Sequence, residues 1–370
     1  MDKCRFLRQK KQVQINGEWV DTRSYRYIPY CGGGLQGVTF SGLNPSGKIV
    51  VGFGHPDAWN LVSKTIQLDG NGNGYLGLES TDVIYYIDAE TESGYHIEQG
   101  TIEINGCYVN SLGYMDGDEP HYGPYVDTVI INCSSFDYLF PTHTTVFHFN
   151  GKNLMFNSFD TSNLRYTRYM FSTALGLNKI TSLDLRSFNT SEVFDMQYMF
   201  QNCDTLTSLD VSSFDTSKVT DMKAMFVNCQ SLTSLDVSNF NTSNVSGMSS
   251  MFSSCHKLTS LDVSHFNTSS VTYMWGMFGN CSSLKSLNLS NFDFSNVTSM
   301  QFMFDGCSSL ESIDLSNWNL NYVKNFNDLF EGCTSLRTVY MRNCDSITIG
   351  RIKDNLRDAH ILDQVTIITE

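Results

Sequence analysis

The sequence predicts an α/β repeat solenoid, with one short strand and one short helix in each 26-residue unit, preceded by a β-rich N-terminal module. Three observations carry this prediction. Phe188, Phe214, Phe240, Phe266, Phe292 and Trp318 follow one another at steps of 26 residues; Phe159 stands 29 ahead of Phe188, so its copy carries three extra residues near Gly176. Within a unit, Val219, Met222, Met225, Phe226 and Cys229 are spaced 3, 3, 1 and 3 apart, which places them on one face of a short helix. Thr220 would cap that helix, with Asp221 in its first turn. The stretch Leu232-Thr-Ser-Leu235-Asp-Val237-Ser then alternates apolar with polar, the pattern of a strand with Leu235 and Val237 inward and Ser234, Asp236 and Ser238 outward. Stacked copies would align these strands in a narrow parallel sheet about 4.8 Å apart. Each buried side chain contributes roughly 1.5–3 kcal/mol, whereas ordering the backbone costs about 1–2 kcal/mol per residue. A lone copy therefore cannot fold, and the units stand only as an array.

The written-out unit, Leu-x-x-Leu-Asp-Val-Ser-x-Phe-Asn/Asp-Thr-Ser-x-Val-x-x-Met-x-x-Met-Phe-x-x-Cys, occurs in seven tandem copies over about half of the chain. It resembles the BspA-like branch of leucine-rich repeats, found in surface proteins of bacteria, in some protists and in phage-encoded proteins. The resemblance implies a binding scaffold used for adhesion, and no catalytic residues.

Composition narrows the function further. The 370 residues are 41% apolar with a net charge of −14. That makes a globular chain and argues against a nucleic-acid partner, which needs a basic face. The first 23 residues are the exception: Lys3, Arg5, Arg8, Lys10, Lys11 and Arg23 outnumber Asp2, Glu18 and Asp21, as in a solvated tail, an edge strand or a docking segment for an acidic partner. Eleven cysteines, an odd number, include the in-register ladder Cys203, Cys229, Cys255, Cys281, Cys307 and Cys333. These read as small buried residues in a reducing compartment rather than disulfides or metal ligands. No stretch approaches 18 apolar residues, so no membrane insertion is expected, and the charged start has no apolar run behind it, unlike a secretory signal.

Taken in order, residues 1–30 read as a β-hairpin and docking segment, with Asn16-Gly17 turning between Val13-Gln-Ile15 and Trp19-Val20. Cys4-Arg-Phe-Leu-Arg-Gln-Lys-Lys-Gln-Val and Asn16-Gly-Glu-Trp-Val-Asp21 resemble the opening of structural proteins from phages of gut Bacteroidetes, including crAss-like phages. Cys31-Gly-Gly-Gly-Leu35 opens the next segment as a flexible joint. It lacks the strand, helix and lysine of a phosphate-binding loop. Residues 31–147 read as a β-rich module, a sandwich or a barrel, from the runs around Val38, Ile49–Val51, Val83–Ile87, Ile102 and Val129. The solenoid itself spans 148–343, and 344–370 form a C-terminal cap made of a helix near Ile349–Leu356 and a strand near Gln364–Thr369.

Two sets of residues are candidate sites. The outward strand positions Asp184, Asp210, Asp236, Asp262, Asn288, Asp314 and Tyr340 form a ladder. It is either a structural feature of the repeat, its mutual repulsion relieved by Ser182, Ser208, Ser234, Ser260, Ser286 and Ser312, or a polar stripe for cations, sugar hydroxyls or a basic partner. A specific site usually breaks the repeat, as Asn288 and Tyr340 do. Asp69-Gly-Asn71-Gly-Asn73-Gly matches the first half of a calcium loop. The glutamate expected at its twelfth position is replaced by Ser80, so a plain turn is the competing reading, and Ca2+ is the one cofactor candidate. Asp116-Gly-Asp118-Glu119-Pro-His121 is a second acidic turn. His143 and His148 lack the glutamate of a zincin, and no Gly-x-Ser-x-Gly elbow occurs, so the chain is not expected to be an enzyme. The expectation is a phage virion protein of the tail or head fibres. It would dock to other virion proteins through its N-terminal part and present the solenoid to a host-surface protein or glycan, with a homo-oligomer left open. The alternatives are a bacterial cell-surface adhesin and an intracellular interaction scaffold.

Overall fold

The computed structural model describes residues 179–370 without a break. Ahead of them it describes 12–15, 18–21, 37–43, 45, 47–54, 62–78, 83–91, 99–109, 114–116, 119–121, 128–135, 147, 151–156, 159–162 and 164–172. The Asn16-Gly17 turn, the Cys31–Leu35 joint, Asp118, His143 and His148 lie outside the described residues.

β1 (Gln12–Ile15) and β2 (Glu18–Asp21) pair antiparallel, Ile15 opposite Glu18. β3 (Gly37–Ser41), β4 (Gly47–Gly54), β5 (Val62–Ile66), β6 (Gly74–Gly77), β7 (Val83–Thr91) and β8 (Thr101–Val109) precede a small antiparallel pair, β9 (Tyr114–Asp116) and β10 (Glu119–His121). β11 (Thr128–Ser135) and β12 (Asn153–Phe156) follow. Apart from the two small pairs, these strands form one eight-stranded sheet in the order β12-β11-β8-β7-β4-β5, with β3 on β8 and β6 on β3. Alternation builds it: Val38, Phe40, Ile49, Val51, Ile102, Ile104, Val129 and Ile131 are buried, while Thr39, Val50, Glu103 and Ile130 between them are not.

This sheet carries the solenoid's stacking back beyond residue 148. Thr101, Thr128 and Asn153 are register partners on three consecutive parallel strands, so successive strands here are already about one coil apart in sequence. Buried Asn132 on β11 donates to two side chains of β8, to Asn105 Oδ1 at 2.8 Å and to Glu103 Oε1 at 2.9 Å. The 31–147 and 148–343 segments thus share one sheet.

Beyond it the chain is a β-solenoid. β13 (Ser182–Leu183) and β14 (Ser208–Leu209) pair in parallel, as do β15 (Ser286–Asn288), β16 (Ser312–Asp314) and β17 (Thr338–Tyr340). A second parallel ladder runs through Tyr166, Asp195, Asp221, Gly247, Tyr273, Ser299 and Asn325. The helix expected in each unit is absent: the α/β unit is corrected to a coil of strands and tight turns. Val219, Met222, Met225, Phe226 and Cys229 are all fully buried, as their spacing implies, but their amides do not bond four residues back as a helix requires. Met222, Ala224, Phe226 and Asn228 donate instead to Gly247, Ser249, Met251 and Ser253 of the next coil, at 2.9–3.0 Å. Met225, Val227 and Cys229 close three-residue turns within their own coil at 3.2 Å, and Lys223 N donates to Asp221 Oδ1. Every amide from 222 to 229 is thereby accounted for. Ala224 (φ 53°) and Asn228 (φ 61°) turn the chain in the left-handed region, which no α-helix admits. Thr220, expected as a helix cap, bonds to Phe194 O across the coil gap.

The interior is a set of single-residue columns. Phe171, Phe200, Phe226, Phe252, Phe278, Phe304 and Phe330 stack ring on ring with centroids 5.5–6.0 Å apart; such pairs add about 0.5–1.5 kcal/mol beyond burial. Each ladder thiol donates to a phenylalanine carbonyl one coil back, as Cys255 does to Phe226 O at 3.3 Å. Burial pushes these thiols up, to about 12 for Cys281 and Cys333, so they are protonated packing groups. Buried Thr190, Thr216, Thr242 and Thr268 each donate to a backbone carbonyl of the next coil and accept from the amide of the same residue.

α1 (Ser346–Asp358), capped by Asp345, and β18 (Thr366–Ile368), parallel to β17, end the stack. Where no further coil follows, α1 supplies the partners. Leu320 N donates to Thr348 Oγ1 and Leu329 N to Asn355 Oδ1. The Arg351 guanidinium lies 3.8 Å from the Phe326 ring centroid and donates to Leu320 O and Val323 O.

Candidate functional site

The aspartate ladder is exposed from Asp184 to Asn288 and half-buried at Asp314 and Tyr340, but its side chains are used by the backbone. The Oδ1 atoms of Asp210, Asp236, Asp262, Asn288 and Asp314 accept the amide two residues on, from Ser212, Ser238, Ser264, Ser290 and Ser316, at 2.9–3.1 Å. Asp184 does the same for Arg186 and also takes its guanidinium. These are Asx turns, which swing the chain out of the strand. The Ser212 hydroxyl and amide hold Asp210 below the ordinary aspartate value of 3.8, Ser238 and Ser264 do so for Asp236 and Asp262, and the Arg186 guanidinium brings Asp184 to about 2. Repulsion from Asp184 is the smallest influence on Asp210. The relieving donors therefore follow the aspartates; they are not the preceding serines Ser182 to Ser312. Asn288 keeps the acceptor and the turn. Tyr340 lacks it: Arg342 N turns to Ser316 Oγ, and its guanidinium sits 4.9 Å from the Tyr340 ring centroid.

The Asp69 loop has the same character. Asp69 Oδ1 accepts the amides of Asn71 and Asn73 at 2.8 and 2.9 Å, which lowers its pKa, and Asn73 Oδ1 accepts Gly42 N. Its oxygens meet N–H donors of the loop and of a neighbouring turn. Among the described residues no group of three acidic, histidine or cysteine side chains could hold a metal ion.

A different face departs from the repeat. The second parallel ladder is followed, three residues on, by a row in the left-handed region: Tyr169, Tyr198, Ala224, Ser250, Gly276, Phe302 and Asp328, with φ between 53° and 59°. A second row of left-handed positions in the same coils, Asn202, Asn228, Ser254, Asn280, Gly306 and Gly332, holds mostly the asparagines and glycines that such a backbone favours. The first row instead holds three aromatic rings, bulky residues that are outliers there. Backbone strain of this kind gathers at functional positions.

The rings form two groups. Tyr169 and Tyr198 stack at 4.7 Å, with the Arg168 guanidinium 5.6 and 5.9 Å from their centroids and Lys223 Nζ 5.6 Å from Tyr198. Trp275 and Phe302 meet edge to face at 5.9 Å, and Tyr273 and Trp275 are 57% and 47% exposed. Between the groups the row narrows to the buried Ala224 and Ser250, and Gly276 stands directly after Trp275. Gly247 leaves room for the half-buried Asp221 carboxylate, which a Cβ there would meet at 2.7 Å. Burial pushes Asp195 and Asp221 up, and Arg168 draws both back down. Sequence reading assigned these positions to a helix and so did not see the row. Its signal is present in the sequence: from Tyr198 onward the row changes residue at every step while its neighbours Met225 and Phe226 recur.

Coils stacked in register through two parallel ladders define a β-solenoid repeat protein. The chain belongs to the family described as Mycoplasma protein of unknown function, DUF285, whose model matches residues 134–261, 198–294 and 254–364, together more than half of the chain. The matches overlap, as expected when a model longer than one coil is laid along a repeat. No curated protein and no solved structure matches the chain.

Proposed function

We propose that the chain is a non-catalytic binding scaffold that meets its ligand through the aromatic row from Tyr169 to Phe302. One observation carries this reading. The positions whose side chains the backbone consumes, the Asp, Thr and Cys columns, repeat almost unchanged, whereas the left-handed row is free to vary and keeps rings at a conformational cost. The solenoid is the rigid support that holds those rings in place. The resemblance of residues 4–21 to phage structural proteins and the adhesive character of the repeat support display on a phage particle for attachment to a bacterial host, with display on a bacterial surface as the alternative. Mass spectrometry of purified particles is expected to find the chain, and its absence from them overturns the placement. The binding role is tested with fluorescent full-length chain on gut Bacteroidetes cells. Tyr198→Ala with Phe302→Ala should abolish binding and Asp236→Asn should leave it intact; equal binding by the ring variant overturns the role of the row.

A further inference from the structure

We infer that two copies of the chain join through the outer edge of β18, pairing antiparallel about a two-fold axis at Ile367. The pairing does not depend on the binding role proposed above. The edge follows from the bonds on the other side of the strand. β18 stands at one side of the sheet β15-β16-β17-β18. Thr366 N donates to Arg337 O, and Ile368 O accepts Met341 N, both at 2.7 Å. Thr366 and Ile368 thus turn their backbone groups toward β17, and alternation turns those of Ile367 outward, together with the Thr369 amide and the Val365 carbonyl. Among the described residues nothing pairs with these groups; of the outward amides only that of Val365 is engaged, by Leu362 O at 3.2 Å. An exposed edge is ordinarily protected by a charge, a proline or a cover. β5, at an edge of the eight-stranded sheet, carries exposed Lys64 at its centre. Val365 to Thr369 carry neither charge nor proline, and all five are β-branched. The cap leaves them open: α1 bonds to Leu320, Val323 and Leu329, while Thr366 is exposed and Ile367 half-buried. The inward column from Leu183 to Val339 is at most 8% exposed. Ile367, the register partner of Val339, continues that column and lacks a neighbour on its far side.

Three features select a second copy as the occupant. First, the edge matches itself. Ile367 and the partner's Ile367 exchange N–H and carbonyl both ways, and each Thr369 N–H meets the partner's Val365 carbonyl, four backbone bonds in all. The engaged Val365 amide leaves the carbonyl facing it unmet; in this register that carbonyl belongs to exposed Thr369, where water reaches it. Second, the register sets Ile367 on the partner's Ile367, so each copy supplies the apolar side chain that the other's open column lacks. Third, it sets Thr366 opposite the partner's Ile368 and Glu370 opposite the partner's Gln364. Chains of net charge −14 therefore meet along an edge where no carboxylate directly opposes another. A two-fold pair closes at two chains, and the pair presents two aromatic rows.

The experiment is sedimentation equilibrium of the full chain, with hydrogen exchange on the same samples. Twice the mass of one chain is expected. The Ile367 and Thr369 amides should exchange slowly in concentrated samples and faster on dilution, while the Met341 amide, bonded within the chain, is unaffected. Thr369→Pro removes an N–H that the chain itself does not use, at an exposed position, and Thr366→Lys gives the edge a charge like that of β5. Each should weaken the pairing about tenfold or more with an unchanged circular dichroism spectrum. Should a variant fail to fold, the dilution series on the native chain decides. A chain that sediments as a monomer at every concentration, a dimer that both variants leave intact, or exchange at Ile367 and Thr369 that ignores dilution each overturns the inference. A monomer whose β18 amides slow only when an unrelated β-strand peptide is added has an edge open to any strand, and that result overturns the choice of a second copy.

Discussion

Thr242 satisfies both backbone groups of one residue in the next coil through a single hydroxyl: it donates to Asn267 O at 3.0 Å and accepts Asn267 N at 2.8 Å while 2% exposed. Thr242→Val keeps the shape and strands both backbone groups, so it is expected to destabilise the chain by about 1–3 kcal/mol, read as a lower urea midpoint. The carboxylates make a second residue-scale prediction, with two opposed parts. Asp184, Asp210, Asp236 and Asp262 have folded values below 3.8, so their stabilisation is present above that pH and is lost as the pH falls toward about 2. Burial raises Asp195, Asp221 and Asp305; their contribution is full below 3.8 and is lost as the pH rises through their raised values. On acidification from neutrality the urea midpoint should first rise and then fall. Asp195→Asn with Asp221→Asn should flatten the rise and leave the fall, and a difference between native and variant chains that is the same at every pH would refute the assignment.

At the scale of elements, the cap follows from backbone accounting. Thr348 and Asn355 accept the amides of Leu320 and Leu329 that no further coil can receive. Thr348→Val with Asn355→Leu should cost about 1–3 kcal/mol for each stranded amide. Hydrogen exchange should then speed up first at residues 320–330, with coils nearer Phe214 protected as before; uniform loss of protection would show that α1 does not act as a local cap. The same accounting explains what was legible in the sequence. The period, the inward residues and the alternating strand could be read because burial depends only on which side chains face inward, and Val219, Met222, Met225, Phe226 and Cys229 are all there. The helix was misread because three-residue turns bring apolar side chains to one side at the same spacing as a helix face. What separates the two is the destination of the amides, which lies a full coil away and has no local signature. The asparagine and glycine column at Asn202, Asn228, Asn280, Gly306 and Gly332 was the available warning, since such residues are poor in a helix interior. The aspartate ladder stands open in the sequence between a structural feature and a polar stripe, because the sequence does not show which donors its carboxylates meet. Its acceptors serve amides two residues on, a local pattern, whereas the aromatic row emerges only when seven coils are laid side by side.

For the whole molecule, stacking makes stability a sum over neighbours, and the columns allow one coil to be removed. Deleting residues 214–239 joins Ser213 to Phe240 in the same register. Thr190 then faces Asn241 where it faced Asp215, Phe200 stacks on Phe252, and Cys255 donates to Phe200 O, each a pairing that already exists between coils. Asp195 comes to lie over Gly247, the place Asp221 holds now. The shortened chain is expected to fold with the same circular dichroism spectrum. It should unfold with a smaller denaturant slope, in proportion to the surface one coil no longer exposes, and lose the stability of one coil and one interface. A deletion out of phase, such as 220–239, breaks every column at the junction of Val219 with Phe240, so the coils on its two sides should no longer fold as one stack. If both deletions behave alike, stability does not reside in the in-register columns, and the solenoid is held by something other than the coil-to-coil bonds described.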